Sequence, residues 1–196
     1  MQFQDIIQTR RSVRYFDGQP IARDTLIAIV KEAQCTPSWA NSQPWHVYIA
    51  TGQTLEGIKQ EHHATSSQGI RGQAEFSTQH REAWADRPRR NMGNWSRQIG
   101  AHLGEEHGAE YGNAQRDLFN AAAIVYLTIP HESSLWSVLD LGAFSQTLMS
   151  HVQRNRQGHR HHVGLRNSQV SKHRAQMDGD TPRGNPCHWH CPGLCR

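Results

Sequence analysis

Apolar and polar positions alternate along residues 1–149 in patterns that predict helices and two strands. Apolar residues spaced by three and four positions predict helices, because they share one face of a helical turn. Consecutive apolar residues predict buried strands. The predicted helices include residues 3–7, 26–30, 54–59 and 138–148, and the predicted strands are residues 46–50 and 121–129. Asp24 is predicted to cap the second helix.

The region from about residue 64 to residue 114 gives no single prediction. It is polar, rich in Gly and without long apolar periodicity. Trp84, Trp95, Ile99 and Leu103 are spaced so that they could pack one or two helices. A surface loop fits the same composition, so both alternatives stay open.

The composition changes after Met149. Residues 150–196 hold eight Lys and Arg against two Asp, whereas residues 1–149 hold thirteen against fifteen Asp and Glu. Only five large aliphatic residues occur in this tail, too few to offset the entropy lost on ordering it. We therefore expect a domain at residues 1–149 and a basic, His- and Cys-rich tail at 150–196 that is disordered.

Two short segments carry the candidate chemistry. The arginine segment, residues 10–14, contains Arg10, Arg11, Ser12 and Arg14. Guanidinium groups bind phosphate through a planar fork of donors, so this segment is a candidate anion site. The polar loop, residues 36–45, is bounded by Pro37 and Pro44 and is rich in amide and hydroxyl groups. Together they suggest a flat, phosphorylated cofactor.

With these two segments the chain resembles the nitroreductase family of flavoproteins. The resemblance continues at residues 120–130 and 139–149, so four matches occur in the family's order. It implies an incomplete α+β flavin-binding sandwich, with an antiparallel-dominated sheet flanked by helices. It also implies a homodimer with FMN at the interface, held by the arginine segment of one chain and by Pro37, Ser38 and Asn41 of the other. The turn chemistry of Pro and Asn is a structural alternative for Pro37 and Asn41.

The activity implied by the resemblance is transfer of reducing equivalents from NAD(P)H to a nitroaromatic, a quinone or a similar electron-poor acceptor. The order is ping-pong, and the flavin carries the difficult chemistry. No catalytic acid, base or nucleophile is therefore nominated, although His46 and Cys35 are the conspicuous candidates. The alternative is a non-enzymatic remnant of such an enzyme, which at most binds metal or polyanions adventitiously through its tail.

The genetic code offers an explanation for the aberrant tail. Codons compatible with Cys187 through Cys195, read one nucleotide downstream, can encode V-I-G-I-A-L-G-Y-A, which resembles a core strand of the family. Readings at residues 157–162, 165–173 and 178–181 also resemble the family, in the same frame. We hypothesise a frameshift close to Met149 or Ser150. As written, the chain lacks the family's G-x-x-T segment and final strand, so it is expected to bind FMN weakly or not at all and to be poorly soluble.

Other function classes receive little support. The Cys and His residues between Cys187 and Cys195 are too crowded for a common zinc finger, so no physiological metal site is predicted. The basic tail lacks the aromatic residues of a specific nucleic-acid site. No apolar run reaches the roughly 20 residues of a membrane helix, and the first residues do not resemble a signal peptide. The expected location is the cytoplasm.

Overall fold

The computed structural model describes residues 2–70, 72, 79–155 and 164–167. Its helices are α1 (Phe3–Thr9), α2 (Arg23–Ala33), α3 (Gly52–Ser67), α4 (Asp86–Arg116) and α5 (Leu135–Asn155), and its strands are β1 (His46–Ala50), β2 (Ile124–Thr128) and β3 (Gly164–Asn167). Short 3-10 turns occur at Trp39–Asn41, Arg81–Ala83 and Leu118–Asn120. None of the described helices is long and apolar enough to span a membrane.

The strands form one sheet in the order β1, β2, β3. β1 pairs antiparallel with β2, so that His46 lies opposite Thr128 and Ala50 opposite Ile124. β3 pairs parallel with β2, and α5 makes the connection between these two strands. A helical crossover of this kind is the usual connection between parallel strands.

Side chains on the two faces of β2 enter two different apolar clusters. Val125 and Leu127 pack with residues of α2 and α5, and Ile124 packs on the opposite face with Leu55 of α3. This alternation follows from the two-residue period of a strand. Helices therefore cover both faces of the sheet, which confirms the predicted α+β sandwich. Trp45 is buried and stacks on Phe144 at a centroid distance of 4.6 Å.

Two local features differ from the sequence predictions or complete them. α2 begins one residue before Asp24, with Ala22 at the cap, so the prediction of Asp24 as the capping residue is wrong. The Asp24 carboxylate lies in the first helical turn, where it interacts favourably with the helix dipole. The open question at residues 64–114 is resolved in favour of a helix for 86–116, with a kink at Gly104 (φ 63°, ψ −169°).

The predicted domain boundary lies inside α5, which runs without interruption to Asn155. The prediction of a disordered tail did not anticipate β3. Strand pairing uses backbone groups that every residue except Pro provides, so it requires no apolar pattern. The remaining tail residues, 156–163 and 168–196, lie outside the described residues, and so do the Cys187–Cys195 motif and His159, His161 and His162.

Candidate functional site

The arginine segment follows directly on α1. The guanidinium of Arg11 donates to the backbone carbonyl oxygens of Gln8, at 2.6 Å, and of Arg10, at 3.0 Å. Arg11, Ser12 and Arg14 are exposed, and Arg10 is half-buried. The segment therefore presents donors to solvent from a short stretch of backbone.

None of these guanidiniums is neutralised by a carboxylate within the described part of the chain. The ion pairs found there involve Lys59, Arg89 and three histidines, and they do not include Arg10, Arg11 or Arg14. Three closely spaced positive charges without a counter-charge attract anions. Phosphate suits them because it accepts several charge-assisted hydrogen bonds at once.

The polar loop connects α2 to β1. The Ser38 hydroxyl accepts a hydrogen bond from the backbone N–H of Gln43, at 2.9 Å. Ala40, Asn41 and Gln43 have φ values of 50°, 55° and 43°, so the loop turns through the left-handed region. Asn is the residue type among these that tolerates this region best. Pro37 and Asn41 are exposed, and Ser38 is half-buried.

A buried carboxylate of α5 fixes the polar loop. Asp140 is 8% exposed, and its Oδ2 accepts a hydrogen bond from the backbone N–H of Trp39, at 3.0 Å. The Trp39 side chain itself is 63% exposed. Asp140 thus holds the backbone next to Ser38 while leaving the Trp39 side chain accessible.

Replacing Asp140 tests this anchor. We expect Asp140→Ala to lower the free energy of unfolding by about 1–2 kcal/mol, because it removes the only acceptor the structure gives the Trp39 N–H among described residues. Asp140→Asn keeps an acceptor oxygen and should cost less. Chemical denaturation measures both, with Glu132→Ala as the control for losing an exposed acid. Equal losses for Asp140→Ala and Glu132→Ala would contradict the assignment.

The two segments lie at opposite ends of the β1–β2 pair. The polar loop leads into His46 at the start of β1, whereas Arg14 lies over Phe119, shortly before the start of β2. Because the strands are antiparallel, their starting ends are opposite. Five-residue strands rise about 3.3 Å per residue, which separates the segments by roughly 13 Å or more along the sheet. Within one chain, Arg14 and the polar loop thus lie at opposite ends of the strand pair.

The other conspicuous side chains do not form a site in the described residues. His46 is exposed at the first position of β1, and Cys35 is exposed just beyond α2. No group of three or more His, Cys, Asp or Glu residues suited to a metal ion occurs within the described ranges.

Sequence reasoning missed two residues that position these segments, Asp140 and Asn120. Asp140 is an acid between apolar neighbours in a helical stripe, which signals a buried polar group with a fixed partner. Asn120 precedes a strand, and Asn is enriched in left-handed turns. Its side-chain amide donates to the backbone carbonyl oxygen of Phe16, at 3.0 Å.

Comparison with known proteins gives a consistent result. The model of the nitroreductase family matches residues 7–155. A 4-nitrobenzoate reductase of Nocardioides sp. (strain LMS-CY) is 28% identical over 160 residues, which are 75% of this chain and 62% of that protein. A 4-nitrobenzoate reductase of Pseudomonas putida is 26% identical over 163 residues, which are 75% of this chain and 66% of that protein. The chain thus spans about two thirds of these relatives.

The fold also has solved counterparts. The crystal structure of the FMN-dependent nitroreductase NfnB from Mycobacterium smegmatis, in complex with NADPH, superposes with a TM-score of 0.69. The two chains are 22% identical, and the match covers 78% of this chain and 70% of that one. At this identity the likeness concerns the fold.

Proposed function

Because this chain belongs to the nitroreductase family, we propose that it derives from, and can act as, a cytoplasmic FMN-dependent oxidoreductase. It transfers reducing equivalents from NAD(P)H to nitroaromatics, quinones or similar electron-poor acceptors. The observation that carries the proposal is the arginine segment, whose three guanidiniums have no carboxylate partner among the described residues.

The residues present fit the phosphate and ribityl chain of FMN. Arg10, Ser12 and Arg14 supply donors to the phosphate, with Arg11 beside them. Pro37, Ser38 and Asn41 of a second chain contact the ribityl and ring side. FMN held there would supply two-electron redox chemistry between the nicotinamide and the acceptor, in the proposed ping-pong order. The protein's part is to bind and orient these molecules.

The proposed assembly is a homodimer, since the arginine segment and the polar loop lie at opposite ends of one chain's β1–β2 pair. A two-fold axis brings the arginine segment of one protomer to the polar loop of the other and does so twice. Apolar side chains on α1 and at the start of α5 support an interface there. Exposed in a single chain are Phe3, Ile7, Leu135, Trp136 and Leu139.

The names of the relatives suggest the first acceptor to test. Two of them are 4-nitrobenzoate reductases, so 4-nitrobenzoate is the starting substrate, with NADH and NADPH compared as donors. We expect FMN-dependent oxidation of one or both nicotinamides, which is measured as a loss of the absorbance of NADH or NADPH. A purified chain loaded with FMN that oxidises neither nicotinamide with any acceptor would favour the alternative, a non-enzymatic remnant.

Neutralising two arginines tests the phosphate assignment. We expect the double variant Arg10→Gln/Arg14→Gln to weaken FMN binding by about tenfold to 50-fold, because two charge-assisted hydrogen bonds are lost at a partly exposed site. Fluorescence titration with FMN measures the change. Arg23→Gln, which removes an exposed arginine at the start of α2, should leave the affinity unchanged. Equal effects of the two substitutions would reject the assignment.

A further inference from the structure

The turn at Leu118–Asn120, which precedes β2, has an uncommon backbone. Its three residues have φ values of 50°, 57° and 54°. Asn adopts the left-handed region readily, whereas Leu and Phe rarely do. Local sequence preferences therefore do not explain this backbone conformation, so contacts with surrounding residues must stabilise it. Such backbone strain is common where a fold positions functional groups.

Hydrogen bonds connect the turn to the chain just after the arginine segment. The backbone N–H of Phe16 donates to the carbonyl oxygen of Phe119, at 3.0 Å. The Asn120 side-chain amide donates to the carbonyl oxygen of Phe16, also at 3.0 Å. Phe16 itself is 6% exposed and packs with Leu118 and Ala121. Both backbone groups of one buried residue are thus tied to the turn.

The chain also passes close to Asn120 at Gly18. This glycine has a φ of 71°, and a Cβ added there would lie 3.0 Å from Asn120 Nδ2. A side chain at position 18 would therefore strain the backbone and displace the amide that holds Phe16. Glycine at position 18 therefore leaves room for the Asn120 side chain.

The same turn contacts a guanidinium of the arginine segment. The Arg14 Cζ atom lies 5.6 Å from the centroid of the Phe119 ring. A cation over an aromatic face is attracted by the ring's quadrupole. Since Arg14 is otherwise exposed, this ring restricts the directions available to its long side chain.

We propose that Phe119 and Asn120 are positioning residues for the cofactor phosphate, with Phe119 orienting the Arg14 guanidinium and Asn120 fixing the backbone that carries it. This rests on the proposed function, in which the arginine segment binds the phosphate of FMN. The Phe119 ring and the Asn120 amide both contact residues 14–16. Phe119 and Asn120 therefore act through Arg14.

The test compares FMN with riboflavin, which lacks the phosphate. Fluorescence titrations of the full chain and of the variants Phe119→Leu, Phe119→Tyr and Asn120→Gly give both affinities. We expect Phe119→Leu and Asn120→Gly to weaken FMN binding by about threefold to tenfold while riboflavin binding changes by less than about twofold. Phe119→Tyr keeps an aromatic face and should retain the FMN affinity. Gly at position 120 keeps the left-handed backbone accessible, so the variant tests the amide.

The outcomes separate the inference from the function on which it rests. If the unmodified chain prefers FMN to riboflavin and the variants keep that preference, the positioning role is wrong while the proposed function stands. If Phe119→Leu and Asn120→Gly weaken both flavins equally, their role is general folding, and the inference is again wrong. If the unmodified chain does not distinguish FMN from riboflavin, the phosphate assignment fails and the positioning role with it.

Discussion

Removing one nucleotide between the codons for Thr147 and Val152 is expected to raise the affinity of the encoded protein for FMN by about 1,000-fold. Read in the shifted frame, the tail can encode the G-x-x-T segment and the final core strand that the resembled family has. A gain of this size needs only two or three additional charge-assisted hydrogen bonds. Fluorescence titration and the flavin content of the purified protein measure it.

A matched control removes three nucleotides at the same place. This deletion loses one residue of α5 but keeps the recorded frame, so no gain in FMN affinity should follow. Sequencing of fresh genomic DNA across these codons establishes which frame the gene carries. If the chain as written already holds one tightly bound FMN per protomer, the frameshift hypothesis is wrong.

Two observations support a change of frame in this part of the chain. The match to the nitroreductase family ends at residue 155. The tail with an excess of positive charge and few large aliphatic residues begins at residue 150. Both lie within a few residues of the proposed break, as expected for a family match that runs slightly past it.

Two poorly binding variants are expected to regain activity when they form mixed dimers. One is Arg10→Gln/Arg14→Gln, and the other is Ser38→Ala/Asn41→Gly, in which Gly accepts the φ of 55° at position 41. Each homodimer has two damaged sites. A mixed dimer has one site with both defects and one intact site, because each site takes its arginine segment and its polar loop from different chains.

Co-expression in equal amounts should restore about a quarter of the unmodified activity, since half of the dimers are mixed and each has one intact site of two. The assay follows NAD(P)H oxidation with 4-nitrobenzoate as the acceptor. The FMN concentration is chosen to saturate only the intact site, and both variants are expressed in the reading frame whose product binds FMN. The control mixes Arg10→Gln with Arg14→Gln, which leaves every site with a damaged arginine segment. No recovery in the main pair would show that one chain supplies the whole site, and recovery in the control would show that any rescue does not come from sharing sites between chains.

The layers of the fold were predictable because they depend on local patterns. The strand prediction at residues 46–50 coincides with β1, and that at 121–129 contains β2. Apolar runs carry this information directly. α4 could not be predicted in the same way, because most of its surface is polar. It contacts α3 and the turn at 118–120.

The candidate site was only half predictable from sequence. Residue types revealed the arginine segment and the polar loop, because guanidinium, hydroxyl and amide groups have characteristic partners. The anchors Asp140 and Asn120 stayed hidden. Their hydrogen bonds join residues 101 and 104 positions apart, and no local pattern records such a pairing.

These long separations have a consequence for the order of events during synthesis. Ribosomes add about 5–20 residues per second, so Trp39 and Phe16 each emerge roughly 5–20 s before the residue that will hold them. Until then the polar loop and the end of the arginine segment are unrestrained parts of a nascent chain. Both anchors have been added when synthesis reaches Ser150. A fault downstream therefore leaves these two attachments in place.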